Sequence, residues 1–361
     1  MNKELKIEDL GYDAFFEASR IKLELADLSV ARVIAEYKGA YKVKNIEGEF
    51  SARITGKQIF EAVSREDFPS VGDWVVISKA DEDHAVIQKV LPRKTVMKRK
   101  YSGKNETQII AANIDVAFVI ESVDRDYNLN RIERYFAIAN DGGIQPAIIL
   151  NKIDLISKLE LDAKLEEMQN RLSDSPIIAT STLTETGLDN LKKYIAPGKT
   201  YCFLGSSGVG KSSLINKLLG EEIIKTKNIS ERSGRGQHAT TSREMYFLAG
   251  GGIVIDNPGV REVGMTDTGA GIDNLFDEIT ALAKNCKYVD CTHVHEPDCA
   301  VLVALKANQL DESQYANYIN LKKEAQHYEM NAVEKKEKDR QFGKFLKTAK
   351  KELKEAGHKD Y

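Results

Sequence analysis

Eight residues, Gly205-Ser206-Ser207-Gly208-Val209-Gly210-Lys211-Ser212, follow the pattern GxxxxGK[ST], with Ser213 next in line. Glycines at that spacing let backbone N–H groups turn inward around a chain of phosphates. Lys211 can reach the outer phosphates, and the Ser212 hydroxyl suits a Mg²⁺ ion. The pattern needs a strand before it and a helix behind it. Thr200-Tyr201-Cys202-Phe203-Leu204 is a short apolar run, and 213–220 has helical periodicity and ends in Gly220. The positive end of that helix would point at the same phosphates. A chance glycine turn ahead of a helix is the alternative, and it weakens with each companion motif.

Asn151-Lys152-Ile153-Asp154 closes the apolar run 145–150. A fixed carboxylate at Asp154 can accept two hydrogen bonds, from the ring N–H and the exocyclic amine of guanine. Adenine lacks that pair, so such a site rejects ATP through unpaired polar groups. Asn151 is expected to brace the site, with the Lys152 stem along the base and Ile153 between. Ser181-Thr182-Leu183 matches a second base-contacting loop, with Thr182 where alanine is usual. Asp256-Asn257-Pro258-Gly259 reads DxxG. Asp256 would hold Mg²⁺ through water, and the Gly259 N–H would meet the terminal phosphate. Together these motifs imply binding of GTP and its hydrolysis to GDP and phosphate. Their order is unusual: NKxD comes first, the phosphate loop second and DxxG last, as in a circularly permuted chain. Permutation is tolerated where termini lie close together.

Cys286-x4-Cys291-x-His293-x5-Cys299 offers three thiolates and one imidazole. That is the usual donor set of a closed structural zinc site, with no position left for catalysis. His295 is a rival ligand. The chain has 4 cysteines, and the remaining one, Cys202, reads as a core thiol on the strand before the phosphate loop.

These motifs need elements to hold them. The 361 residues, 42% hydrophobic and 30% charged, suffice for two or three domains. The net charge of −3 leaves any nucleic-acid contact to local patches. The opening MNKELKIEDLGYD does not read as a signal peptide, and no run of eighteen apolar residues occurs, which points to the cytosol and away from membranes. From 109 onward strands alternate with helices, the rhythm of a parallel, doubly wound sheet. Between about 30 and 100 the strands are short and separated by turn residues, as in a small barrel: an oligonucleotide-binding (OB) barrel first, an SH3-like one second. Arg32, Tyr37, Lys38, Tyr41, Lys42 and Lys44 mix cations with aromatics there, which suits RNA as well as an ordinary solvated face. Residues 1–30 read as an amphipathic helical extension packing through Leu10, Phe15, Phe16, Ile21, Leu23 and Leu25. The basic stretch 93–108 reads as a linker, and 313–330 and 332–356 as helices.

The motif order, the barrel before it and the cysteine cluster behind it resemble the circularly permuted, ribosome small-subunit-dependent GTPases, the RsgA (YjeQ, YloQ) family, over nearly the whole chain. The resemblance implies an α/β circularly permuted P-loop GTPase domain (101–270), preceded by an N-terminal all-β OB-fold barrel (31–100) and followed by a C-terminal helical zinc-binding domain (271–361), beyond the extension 1–30. It implies a cytoplasmic factor, a monomer by default, in late maturation of the small ribosomal subunit. Such a factor binds rRNA, works among other assembly factors and hydrolyses GTP when the subunit stimulates it. A translation-linked regulatory GTPase without a maturation role is the alternative. Ser233-Gly234-Arg235-Gly236-Gln237-His238-Ala239-Thr240-Thr241 resembles the family's switch segment, with Ala239 in place of its first threonine. Thr240, or else Thr241, is then the Mg²⁺ ligand. Val260 stands where a water-orienting glutamine often follows DxxG, and His238 is the family's candidate for that role. The family's spacing favours His293 over His295 for zinc.

Overall fold

Short strands, some with alternate residues buried, shape the first hundred residues. In the computed structural model, which describes residues 5–37, 39–100, 107–124, 127–173, 175–224, 243–256 and 269–329, helix α1 (Ala14–Lys22) precedes five such strands. These are β1 (Ser29–Tyr37), β2 (Ala40–Lys44), β3 (Glu49–Ile54), β4 (Trp74–Lys79) and β5 (His84–Val90), with a short helix α2 (Gly56–Glu61) between β3 and β4. They pair in the order β1-β2-β3-β5-β4, and β4 closes back onto β1. The β3–β5 pair is parallel and the others are antiparallel. Of the two barrels weighed from the sequence, this is the OB one. Alternate residues such as Val43, Phe50, Ala52 and Ile77 fill its interior.

The extension before it is less helical than its apolar residues suggest. Leu10, Tyr12 and Phe16 are buried around Trp74, with the Tyr12 and Trp74 rings 4.7 Å apart. Phe15, Ile21 and Leu23, expected to pack as well, are exposed. The stretch expected to be a linker instead forms a hairpin of β6 (Val96–Lys100) and β7 (Thr107–Ala112). Its basic residues mask one deeply buried side chain, Met97. The expected boundary near 100 therefore falls between two paired strands, and 109–112 belongs to this hairpin, not to the parallel sheet.

The α/β part follows as β8 (Val116–Ser122), α3 (Leu129–Asp141), β9 (Gln145–Asn151), α4 (Lys158–Arg171), β10 (Ile177–Thr180), α5 (Leu188–Tyr194), β11 (Thr200–Leu204), α6 (Lys211–Leu219), β12 (Glu244–Phe247) and β13 (Ile253–Asp256). The strand order is β10-β9-β8-β11-β13-β12, parallel except for β12. Every residue of β8 and β11 is buried, as expected for strands covered by helices on both faces. The sheet does not stop at β12, which pairs with barrel strand β1.

Helices α7 (Gly269–Leu275), α8 (Asp277–Ala283), α9 (Ala300–Lys306) and α10 (Glu312–Glu329) complete the described chain. They lean on α3. A Cβ on Gly271 would sit 2.1 Å from the Ala137 carbonyl oxygen, so only glycine lets α7 approach that closely. Arg134 pairs with Glu324 at 2.7 Å, and the buried Glu133 accepts from both Arg171 and Asn317. The expected helix 332–356 lies outside the described residues. No helix among those described is long and apolar enough to cross a membrane.

One buried cation ties these parts together. Arg32 on β1 is 1% exposed. Its guanidinium donates to the carbonyls of Leu10 (2.6 Å), Asn113 (3.1 Å) and Gly72 (3.3 Å) and to the Thr200 hydroxyl (2.8 Å). Burial pushes its pKa down to about 10, so it stays charged at neutral pH. Replacing it by leucine removes the donor from Leu10, Asn113 and Thr200, while the Gly72 carbonyl keeps the Asn113 amide at 3.1 Å, and each group left unsatisfied costs about 1–3 kcal/mol. Arg32→Leu is therefore expected to lower unfolding free energy by about 3 kcal/mol or more in urea titrations. An unchanged midpoint would show that these bonds contribute nothing net.

Candidate GTP and metal sites

The phosphate loop sits where two halves of the sheet diverge. β11 lies between β8 and β13, and the loop leaves its carboxyl end, the usual ligand crevice of such sheets. Gly205 and Gly210 hold the turn, at φ 147° and 100°. A Cβ on Gly205 would meet the Ile120 carbonyl oxygen at 2.4 Å, and one on Gly210 the Asn151 side-chain nitrogen at 2.3 Å. Val209 is fully buried and anchors the loop, while Ser207 and Gly208 are exposed at its crest and Ser206 is half-buried. α6 begins at Lys211, so Lys211, Ser212 and Ser213 form its first turn. The Lys211 ammonium is held by the carbonyls of Gly205 (2.7 Å) and Ser206 (2.6 Å).

The base-reading motif is fastened directly to that loop. Asn151 ends β9 and is fully buried. Its amide donates to the Val209 carbonyl at 2.8 Å and accepts from the Thr180 hydroxyl at 3.0 Å. Lys152 adopts a left-handed backbone at φ 64° and reaches Asp124 at 2.7 Å. Ile153 then opens a tight turn that carries Asp154. The Ser181 hydroxyl donates to the Asp154 carboxylate at 2.5 Å and accepts from the Leu183 and Thr184 N–H groups. Thr182 is half-buried beside it. Three motifs that are separate in sequence, between Asn151 and Ser213, thus converge at the carboxyl ends of strands β9, β10 and β11 of one parallel sheet.

Asp256 ends β13, next to β11. Burial raises its carboxyl pKa, the Lys211 ammonium opposes that shift, and Glu244 on the neighbouring strand adds to it. Gly259, and the whole segment with His238, Thr240 and Thr241, lie outside the described residues.

Two further side chains at this site escaped the sequence reading. Thr180 braces Asn151, and Asp124 holds Lys152. The position of Asp124 just beyond the end of a central strand was the available signal.

The cysteine cluster comes together as its spacing suggested. One ligand atom from each of Cys286, Cys291, His293 and Cys299 lies within 4.8 Å of all the others. Cys286 Sγ and Cys299 Sγ are 3.8 Å apart, and His293 Nδ1 is 3.6 Å and 3.5 Å from them. His293 points inward from a left-handed backbone position, φ 61°, and the Tyr315 hydroxyl donates to its carbonyl at 2.6 Å. The Glu296 carboxylate ties the intervening loop by accepting from the N–H groups of Thr292, Val294 and His295. These four side chains form a closed donor set able to hold a metal ion.

Known proteins place this arrangement. A family model described as RsgA GTPase matches residues 90–266, and one described as 50S ribosome-binding GTPase matches 200–341, starting at β11. The Small ribosomal subunit biogenesis GTPase RsgA 2 of Lactiplantibacillus plantarum is 40% identical over 92% of this chain and 93% of its own. The chain belongs to the RsgA family. The RsgA protein of Leptospira interrogans serovar Lai, named a small ribosomal subunit biogenesis GTPase, is 39% identical over 97% of both chains. Among solved structures, YjeQ from Thermotoga maritima superposes with TM-score 0.60 and 25% identity, covering 81% of this chain and 96% of that one. YloQ, titled a circularly permuted GTPase, superposes with TM-score 0.56 and 22% identity over 81% of this chain and 93% of its own, which speaks to the fold. Among the described residues the barrel, the permuted GTPase sheet and the metal-capable cluster are all present.

Proposed function

We propose that this protein binds the small ribosomal subunit through its rRNA, hydrolyses GTP when the subunit stimulates it, and acts in late maturation of that subunit. The observation that carries the nucleotide part is the bond from Asn151 to the Val209 carbonyl, which joins base reader and phosphate cradle into one pocket. The names of the RsgA relatives support the subunit part. In this reading Asp154 takes guanine's two donors, Ser181 and Thr182 flank the base, and Asn151, Lys152 and Ile153 hold Asp154 in place. Residues 205–213 and the Gly259 N–H surround the phosphates. Mg²⁺ neutralises phosphate charge and would be held by Ser212, Thr240 and Asp256.

The metal of the cysteine cluster is zinc in this reading, with a structural role. A tetrahedral zinc about 2.3 Å from sulfur and about 2.0 Å from nitrogen sets sulfurs about 3.8 Å apart and sulfur and nitrogen about 3.5 Å apart. The distances among Cys286, Cys299 and His293 support that ion. The working division of the chain is extension 1–30, OB barrel 31–100, GTPase 101–270 and zinc-binding and helical part 271–361, with the β6–β7 hairpin straddling the boundary at 100. The protein works as a cytoplasmic monomer among other assembly factors.

His238 is assigned the orientation of the attacking water, because Val260 cannot hydrogen-bond it. His238→Ala should lower subunit-stimulated turnover by about a hundredfold, a typical loss for a general base, and leave GTP affinity within about twofold. Unchanged stimulated turnover removes His238 from the mechanism. The function as a whole is tested by GTP turnover with and without purified small subunits. A rate that the subunits do not raise would overturn it.

A further inference from the structure

Two polar or backbone contacts tie barrel strand β1 to the GTPase sheet, on either side of Ile34, which is buried in the shared core. The first is the bond of Arg32 to the hydroxyl of Thr200, the first residue of the strand that carries the phosphate loop. The second lies three residues on. Ala35 pairs with Glu244 on β12, and Glu244 pairs in turn with Asp256 on β13. One cross-strand row therefore runs from the barrel wall to the carboxylate expected to serve magnesium. Beside that row the Glu36 carboxylate of the barrel lies 3.4 Å from the Arg243 guanidinium, which immediately precedes β12.

Neither Glu36 nor Arg243 belongs to a nucleotide motif. Their pairing is partly sheltered, with side chains 28% and 17% exposed, so it is screened less than a surface pair. Burial raises the Glu36 carboxyl pKa, and Arg243 and Arg65 both oppose that shift. Ala35–Glu244 is the one ladder pair between β1 and β12 among the described residues. The ion pair is thus the charged contact beside this joint, where Lys44 of β2 also lies over the Phe247 ring of β12 at 5.1 Å. Hydrogen-bonded strands shift as units, so displacing β1 at this joint displaces β12 and, through it, the end of β13. Small errors in the placement of a catalytic group are costly in rate.

We infer that Glu36 and Arg243 are positioning residues: they lock barrel strand β1 to β12, so that a partner gripping the barrel fixes Asp256 in its working position. The inference rests on the functional reading above, because it takes the small subunit as that partner. It predicts a selective defect. Nucleotide binding and unstimulated turnover need only the pocket, whereas stimulation needs the joint. A pair that merely glues two parts together would change both rates alike.

The test uses the full chain with Glu36→Gln, Arg243→Gln and the double variant, each assayed with and without purified small subunits. Neutral substitutions are chosen because Arg65 also faces Glu36, so a positive charge at 36 would create a new repulsion. Each single variant is expected to keep GTP affinity and unstimulated turnover within about twofold and to lose about tenfold in stimulated turnover. The double variant should lose no more than either single one, as for two residues acting as a unit. Full stimulation in the single variants, equal losses with and without subunits, or losses that multiply in the double variant each overturn the inference. A wild type that the subunits fail to stimulate sinks the functional reading and takes this inference with it. A stimulated wild type with fully stimulated variants sinks the inference alone.

Discussion

Asp154→Asn is expected to weaken GTP binding by about a hundredfold to ten-thousandfold. The carboxylate is placed to accept two hydrogen bonds from guanine, and the Ser181 hydroxyl holds it in that orientation. A hydrogen bond to a charged group contributes about 1.5–3 kcal/mol, so losing two costs about 3–6 kcal/mol. The substitution also turns an acceptor into a donor that faces guanine's amine. Xanthine carries a carbonyl at that carbon, so the variant should prefer xanthosine triphosphate to GTP. Calorimetric titration with GTP, ATP and xanthosine triphosphate checks this on wild type and variant. A wild type that binds ATP and GTP alike, or a variant that binds GTP as the wild type does, rules out the role given to Asp154.

Cys299→Ser should strip the metal and loosen the C-terminal helices while sparing the nucleotide pocket. Cys299 is 2% exposed and stands immediately before α9, so its ligand bond fixes the start of that helix. A structural zinc contributes about 10–16 kcal/mol of binding free energy, most of it felt as folding free energy. Removing even an outer-shell partner costs about 10–100-fold in metal affinity, and removing a thiolate ligand should exceed that. Elemental emission on purified wild type is expected to find about one zinc per chain. The variant should lose it on dialysis against a chelator and melt at a lower temperature, with GTP affinity within about threefold. Wild type without stoichiometric zinc would end the assignment.

The parts legible in the sequence were those whose chemistry is written in contiguous residues. The phosphate loop, NKxD, the Ser181 loop and the cysteine cluster each occupy a few neighbouring positions; the first three lie at strand ends and the cluster between α8 and α9. Contacts that join distant residues were not legible. Thr180 to Asn151, Asp124 to Lys152 and Arg32 to four partners depend on pairing across the sheet, which no local pattern records. The β6–β7 hairpin was hidden for another reason. Lys98, Arg99 and Lys100 gave it the composition of a linker, and a single fully buried methionine was too weak a signal of a strand. The extension failed in the opposite direction: its apolar residues suggested a longer packed helix, yet Ile21 and Leu23 face solvent and β1 begins at Ser29.

The continuity of the sheet from β12 into β1 bears on where one copy of the chain could recruit another. A strand at the margin of a sheet presents unpaired N–H and C=O groups that recruit other chains. Here the barrel occupies that margin at Glu244, and the barrel itself is closed. Cutting the chain between barrel and hairpin to isolate the catalytic part would bare β12 along its outer side. Such a fragment should self-associate in proportion to its concentration, so loss of activity on truncation would report stickiness before it reported a missing RNA contact.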